Sequence, residues 1–499
     1  MLKNLDSLYI GFLLMLIASI FVSSLIKRKT NNLSRYFYGD RNLKPNSVAQ
    51  LFLSTAFSMN GMMYQIWLGY RIGWYGLLVQ VVWCACYIWM AKYSKRIQTL
   101  SKNGDTLHGI IAKYFGYKTG QIAAFITILS MILQSSWEFI VGVSVFSDNV
   151  AIQTVFIFLI AIIGAFYTVM GGLRGNLYAN IFQNIVAMIG FSVVFIVLTC
   201  CFHPIHNFNT TSPKLILELG GIGAIISNIV LSIFFQFGDM SAWQNLSSVN
   251  KDETSRKRTL WISAFWVLIF PGLIGTLIGL AFKDNSLSNL SGIGVITSDN
   301  VFIHILSLIR KISPSLILLI SAGFAGAMLS TIDGLFLVCG LAMVADISKK
   351  YKSYVKEAMH KESLDDNTDF SQHEMEISAV DYARKWIMLL AVISPLMIFA
   401  FIRISGISIF DLVYVAFLVP MTLIPVVFKL LSTKNEGLKS FGWQSIVSGF
   451  IAGIVFVIIG LVFKNFLIFG SNLLLWSPTA SLMVSFSFYY LFERNTVNG

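Results

Sequence analysis

The stretch Ser321-Ala-Gly-Phe-Ala-Gly-Ala-Met-Leu-Ser-Thr-Ile-Asp-Gly-Leu-Phe-Leu-Val338 decides how this chain is read. It is long and apolar enough to lie in a bilayer, yet it carries two hydroxyls, Ser330 and Thr331, and one carboxylate, Asp333. A charged side chain near the membrane centre costs at least about 2.5 kcal/mol on insertion scales, so an intramembrane Asp is by default a group that pairs, coordinates an ion or carries a proton. Oxygen ligands without nitrogen or sulfur suit a hard cation such as sodium.

The rest of the chain supports a membrane setting. Its 499 residues are 56% hydrophobic and only 12% charged, with a mean hydropathy of +0.74, which excludes an ordinary soluble globular protein. Thirteen apolar runs long enough to cross a bilayer follow one another, at 8–26, 48–68, 75–90, 122–145, 154–170, 181–201, 222–237, 260–282, 314–345, 387–401, 409–428, 446–463 and 474–491. The expected class is therefore all-α integral membrane, multi-pass, with the lipid bilayer as its solvent. The first run carries its charges after it and lacks a small-residue cleavage site, so it reads as a retained helix rather than a signal peptide.

The net charge of +12 does not point to nucleic acid, because the basic residues are scattered through short loops instead of gathered with aromatics in a groove. With the N-terminus outside, roughly 28 of the 36 lysines and arginines fall on the cytoplasmic side, including Lys27-Arg28-Lys29, Arg256-Lys257-Arg258 and Arg384-Lys385. An odd number of spans then puts the C-terminus in the cytoplasm, and the expected location is the plasma membrane (the inner membrane in a bacterium). The one long polar stretch, from Ser348 to Tyr382, reads as a cytoplasmic loop with room for a short amphipathic piece at 351–360. Five cysteines, within or at the ends of apolar runs, form no CxxC pair, and the six histidines show no ligand spacing; His203 and His206 fall in an external loop.

Two spans are interrupted by polar or small residues: Ser54-Thr-Ala-Phe-Ser-Met-Asn-Gly61 in the second run and Gln236-Phe-Gly-Asp-Met-Ser241 at the end of the seventh. Broken helices five spans apart are the mark of an inverted-repeat transporter, with ligands bound where the helices unwind. The plainer alternative is that Gly61 and Gly238 are packing glycines.

Four segments, in order along the chain, resemble the sodium/solute symporter family, which includes proline, pantothenate, sugar, sialic acid and urea carriers. They are Ser34-Arg-Tyr-Phe-Tyr-Gly-Asp-Arg-Asn-Leu43, Tyr167-Thr-Val-Met-Gly-Gly-Leu-Arg-Gly-Asn176 with Gln183 downstream, Asp239-Met-Ser-Ala-Trp-Gln244, and Leu329-Ser-Thr-Ile-Asp333. The resemblance implies an inverted five-plus-five (LeuT-like) core with two broken helices. Residues 1–46 would form an additional helix and linker, 47–203 the first repeat, 204–347 and 384–430 the second around a loop at 348–383, and 431–499 two terminal helices. It implies a sodium site made by the backbone carbonyls of Ala56, Met59 and Ala327 and the hydroxyls of Ser330 and Thr331. The alternative for both hydroxyls is a bond back to the preceding turn. Some members hold a second sodium with an acidic residue where this chain has Asn180, so a second ion site at Asn180 and Asp333 stays open.

For the solute, the resemblance implies a pocket drawn from Asn60, Met63, Gln65, Gln134, Glu138, Phe235, Gln236 and Tyr414. Met62-Met63 stands where sugar carriers have a Glu-Gln pair, and 122–145 holds no Lys or Arg where sialic acid carriers place a carboxylate-binding arginine. Glu138 beside Trp137 suits an amine, unless it is wet or paired with Arg71. Asp239 reads as a capping group near the cytoplasmic gate and Asp411 as a water-facing structural residue. The expected function is sodium-coupled import of a small polar, nitrogenous solute (amino acid, amine or urea-like) by alternating access. Alternatives are proton coupling on the same fold, a sugar or sialic acid carrier, and, remotely, a transporter-like sensor. No base and nucleophile pair or metal cluster suggests an enzyme.

Overall fold

The computed structural model describes residues 7–25, 32–101, 106–144, 150–202, 220–249, 252–282, 301–351, 370–405, 412–433 and 442–497. Lys27–Lys29, His203, His206, residues 352–369 (most of the polar loop) and Asp411 lie outside them.

Helix dominates because an apolar run in lipid must satisfy its backbone hydrogen bonds internally. The described parts of all thirteen apolar runs are helical except at their ends, at the break in the second, and at Phe417, which separates two helices in the eleventh. In chain order the elements are α1 (Ser7–Ser24), α2 (Leu33–Tyr38), α3 (Pro45–Ala56), α4 (Met59–Ile72), α5 (Tyr75–Lys92), α6 (Ser94–Leu100), α7 (Leu107–Phe115), α8 (Tyr117–Ser144) and α9 (Val150–Phe202). The second half continues with α10 (Gly221–Gly238), α11 (Met240–Ser248), α12 (Glu253–Val267), α13 (Gly275–Phe282), α14 (Val301–Ile312) and α15 (Pro314–Ala342). After these come α16 (Phe370–Ser405), α17 (Leu412–Ala416), α18 (Leu418–Ser432), α19 (Gly442–Val462) and α20 (Leu473–Val497), with a two-stranded turn, β1 (Leu467–Ile468) and β2 (Ser471–Asn472), before α20.

The 53-residue α9 is two spans folded back on each other. In a continuous helix Tyr167 and Gln183 would stand about 24 Å apart, but Gln183 Nε2 donates to Tyr167 Oη at 3.3 Å. The reversal is at Gly172, whose φ of 54° and ψ of −152° suit glycine alone. A Cβ there would also meet the Tyr36 carbonyl oxygen at 2.5 Å.

The carbonyls left open where the first arm ends are filled from elsewhere: Tyr36 Oη donates to Thr168 O at 3.2 Å and Arg384 Nε to Val169 O at 3.2 Å. α15 lies against α1, α8 and both arms of α9 and is among the most completely buried spans. Its far end, a π-turn over Met343–Ile347, is tied to α7 by Asp346, which accepts from Thr106 Oγ1 at 2.6 Å and stands 3.0 Å from His108 Nδ1.

Part of the stretch read as loop is helix: α16 begins at Phe370, within the polar segment that ends at Tyr382. Polarity reports contact with water rather than backbone conformation, so a span can continue as a wetted helix beyond the bilayer.

Candidate ion and solute site

α3 stops at Ala56, Phe57 turns aside (φ −89°, ψ 39°), and the extended Ser58 starts α4, its hydroxyl accepting the Gly61 N–H at 2.9 Å. A Cβ on Gly61 would lie 2.6 Å from the Ala56 carbonyl oxygen, so the turn closes this tightly around glycine. The new helix start is capped by Glu138 of α8, 1% exposed, which accepts from Met59 N–H at 2.8 Å and Asn60 N–H at 3.4 Å. A carboxylate is favoured there by the open N–H groups and the helix dipole.

α15 meets the same break. Thr331 Oγ1 is 2.9 Å from Ser54 O and 3.1 Å from Ala327 O, and Ser330 Oγ is 3.0 Å from Ala327 O. Ala327, Ser330 and Thr331 are thus joined and set against the end of α3, two residues before Ala56. Both hydroxyls donate back along their own helix, and Thr331 also crosses to α3. A hydroxyl that rotates its proton aside presents a lone pair to a cation, so these neutral oxygens fit a sodium ion as cargo. The Met59 N–H belongs to Glu138, as described.

Beyond Ser330, Asp333 is fully buried. With the Asn180 amide turned to donate, its nitrogen lies 2.8 Å from Asp333 Oδ2 and 3.0 Å from Gln183 Oε1. Asn176 Nδ2 donates to Asp333 O at 3.1 Å, and the Tyr167 hydroxyl is also a hydrogen-bond partner of the carboxylate. Its partners among the described residues are all neutral. The four sequence segments meet around this helix: Tyr167 Oη donates to Leu329 O at 3.2 Å, Tyr36 reaches Thr168, and Gln244 Nε2 donates to Phe37 O at 2.8 Å.

Beside the break lies a cavity of about 90 Å³ between α3, α4, α5, α8, α10 and the end of α17. A second, apolar cavity of about 310 Å³ opens between α4, α5 and α10, and the two share Tyr64, Val79, Asn228 and Ser232. At their junction Tyr64 Oη donates to Asn228 Oδ1 at 3.0 Å and Asn228 Nδ2 to Tyr414 Oη at 2.8 Å.

Of the eight candidate solute residues, Gln65 lines the inner cavity, with its amide donating to Gly76 O at 2.9 Å and Thr276 Oγ1 at 2.7 Å. Tyr414 reaches it through Asn228. Phe235 stands behind Trp83, ring centroids 5.0 Å apart. Gln134 Nε2 donates to Ser130 Oγ at 3.0 Å and Gln236 Nε2 to Tyr87 Oη at 3.2 Å. Asn60, Met63 and Glu138 are buried outside the lining. The sequence reading missed Gln80, Asn228 and Ser232, polar residues inside apolar spans; that placement was the available signal.

No family profile and no curated protein matches the chain. Solved structures do. A sodium-coupled sialic acid symporter in a substrate-bound outward-open state superposes with a TM-score of 0.69 at 14% identity, covering 97% of this chain and 98% of that one. A nucleobase-cation-symport-1 family transporter, closed with bromovinylhydantoin bound, gives 0.54 at 12% identity over 93% and 96%. The Eremococcus coleocola manganese transporter, in complex with an aromatic bis-isothiourea compound, gives 0.53 at 12% identity over 91% and 94%. At such identities the likeness is one of architecture, and on that ground the chain has the all-α integral-membrane fold that these transporters share.

Proposed function

We propose that the protein is a carrier rather than an enzyme, a member of the sodium/solute symporter family that imports a small, nitrogenous organic solute with sodium. The observation that carries this is the Thr331 hydroxyl, held between the Ser54 carbonyl at the first break and the Ala327 carbonyl of its own helix. An ion taking the place of those hydroxyl protons ties the broken span to α15. Sodium thereby favours the one arrangement of the two repeats in which the ligands meet, and its gradient drives the exchange between outward and inward states. The sodium-coupled sialic acid symporter of like fold supports the coupling ion. In this reading the N-terminus lies outside and the C-terminus in the cytoplasm, because the positive-inside rule then puts most lysines and arginines on the cytoplasmic side.

A second reading concerns Asp333. A fully buried carboxylate with only neutral donors is completed by a cation or a proton, so Asp333 with Asn180 forms a second ion site or a proton carrier.

The test is the melting temperature of the purified protein in sodium against equal potassium or choline. An ion bound only by the folded state raises apparent stability by mass action. A sodium-specific rise that Ser330→Ala removes supports the site. A rise that survives in Asp333→Asn, with uptake then indifferent to pH, assigns Asp333 to the proton; no sodium response in the parent overturns sodium coupling.

A further inference from the structure

Resting on the symport reading, we propose that the solute is an uncharged, planar molecule carrying an N–H donor next to a C=O acceptor, the edge of a cyclic urea, lactam or ureide, read by the amide of Gln80.

Charge is the first constraint. The residues lining the inner cavity include no acid and no base. Glu138, beside it in sequence to the lining Trp137, is committed to the Met59 and Asn60 N–H groups. An ammonium or a carboxylate entering this cavity would leave water without a side-chain counter-charge, and an unpaired buried charge is far costlier than an unpaired neutral group.

The second constraint is the polar groups still open. Asn228 spends Oδ1 on Tyr64 and Nδ2 on Ala224 O and Tyr414 Oη, while Gln65 spends both N–H groups on Gly76 and Thr276. Thr55 Oγ1 donates to Leu51 O, and Ser58 Oγ accepts from Gly61. The amide of Gln80, 8% exposed, and the hydroxyl of Ser232, 3% exposed, have no partner among the described residues. A primary amide presents N–H and C=O side by side, and its complement is an adjacent acceptor and donor. A sugar, with a hydroxyl on nearly every carbon, would find too few partners: besides these two groups, the Gln65 side-chain oxygen is the other lining group left without a hydrogen bond among the described residues. The third constraint is shape: Trp83, backed by the Phe235 ring, and Trp137, edge-on to Phe417 at 5.7 Å, flank the space with aromatic surface, which favours a flat ligand.

The full-length protein in detergent and sodium would be titrated by calorimetry with uracil and 2-imidazolidinone, and with 1,3-dimethyluracil, proline, putrescine, N-acetylneuraminate and galactose. Binding of uracil or 2-imidazolidinone, weakened at least about tenfold by dimethylation or by Gln80→Leu, is the expected result. The leucine is close in size, and an unchanged sodium-induced melting shift shows that the variant folds and keeps its ion site. Failure of both cyclic ureides to bind overturns the inference, as does tighter binding of proline, putrescine, N-acetylneuraminate or galactose, or a Gln80→Leu protein that binds uracil as the parent does. Loss of the symport reading would show separately, as an absent sodium shift in the parent.

Discussion

The two broken helices are built on different principles. At the first, the local Ser58 cap on Gly61 is joined by groups from other parts of the chain: Glu138 on α8 takes the opening N–H groups of α4, and Thr331 on α15 reaches the Ser54 carbonyl. At the second, the sequence closes its own turn. Asp239 accepts the Ser241 N–H at 3.1 Å and also the Ser241 hydroxyl, and Trp243 Nε1 donates to Phe237 O at 3.0 Å. A turn satisfied within six residues keeps its shape when its neighbours move. A turn satisfied by α8 and α15 changes when they shift or when an ion replaces a proton at Thr331. On the proposed function, the first break would be the element that senses ligands, and the second a rigid joint.

The strongest way to break this contrast is at Glu138. Glu138→Ala leaves two buried N–H groups without an acceptor, at about 1–3 kcal/mol each, so melting temperature and uptake should both fall sharply, and Glu138→Gln should recover part of the loss. An alanine variant as stable as the parent would show that the cap is not what holds the first break. Next comes the pair Ser330→Ala and Thr331→Ala. With sodium at a hundred times its Kd, stabilisation of about 2.7 kcal/mol should vanish, measured as the difference in melting between sodium and potassium. Asp239→Ala should cost about 0.5–2 kcal/mol, as for loss of a helix cap, with the sodium shift retained; Asp239→Asn, still a capping side chain, should stay near the parent. A sodium shift lost in Asp239→Ala would erase the distinction between sensor and joint. The smallest effect is expected for Ser241→Ala, at most about 1 kcal/mol in thermal or chemical unfolding, because the Ser241 N–H still reaches Asp239.

Both breaks were legible because polar residues and glycine interrupt apolar spans, and a bilayer permits that only where backbone groups find other partners. The hydroxyls of Ser330 and Thr331, the proposed ion ligands on α15, were legible for the same reason. The role of Glu138 was not, since its partners lie 79 residues upstream on another helix. Nor could the sequence separate Gln80, which has no hydrogen-bond partner among the described residues, from Gln134, which is bonded to Ser130. Both are amides in apolar helices, and only packing decides which one is left open.

The sequence by itself determined that this chain lives in lipid, where its apolar spans lie along the chain, and where two of them unwind; the helices run past several of the expected ends, most of all at Phe370. Those properties depend on the local balance of apolar surface and backbone hydrogen bonding, which a run of about 20 residues already fixes. Tertiary structure decided that α9 doubles back at Gly172, that the four separated segments gather around α15, that Glu138 serves a helix start, and that the cavity beside the first break is lined by no acid or base. Each depends on contacts between residues far apart in the chain, and side-chain types alone do not specify which distant groups will meet.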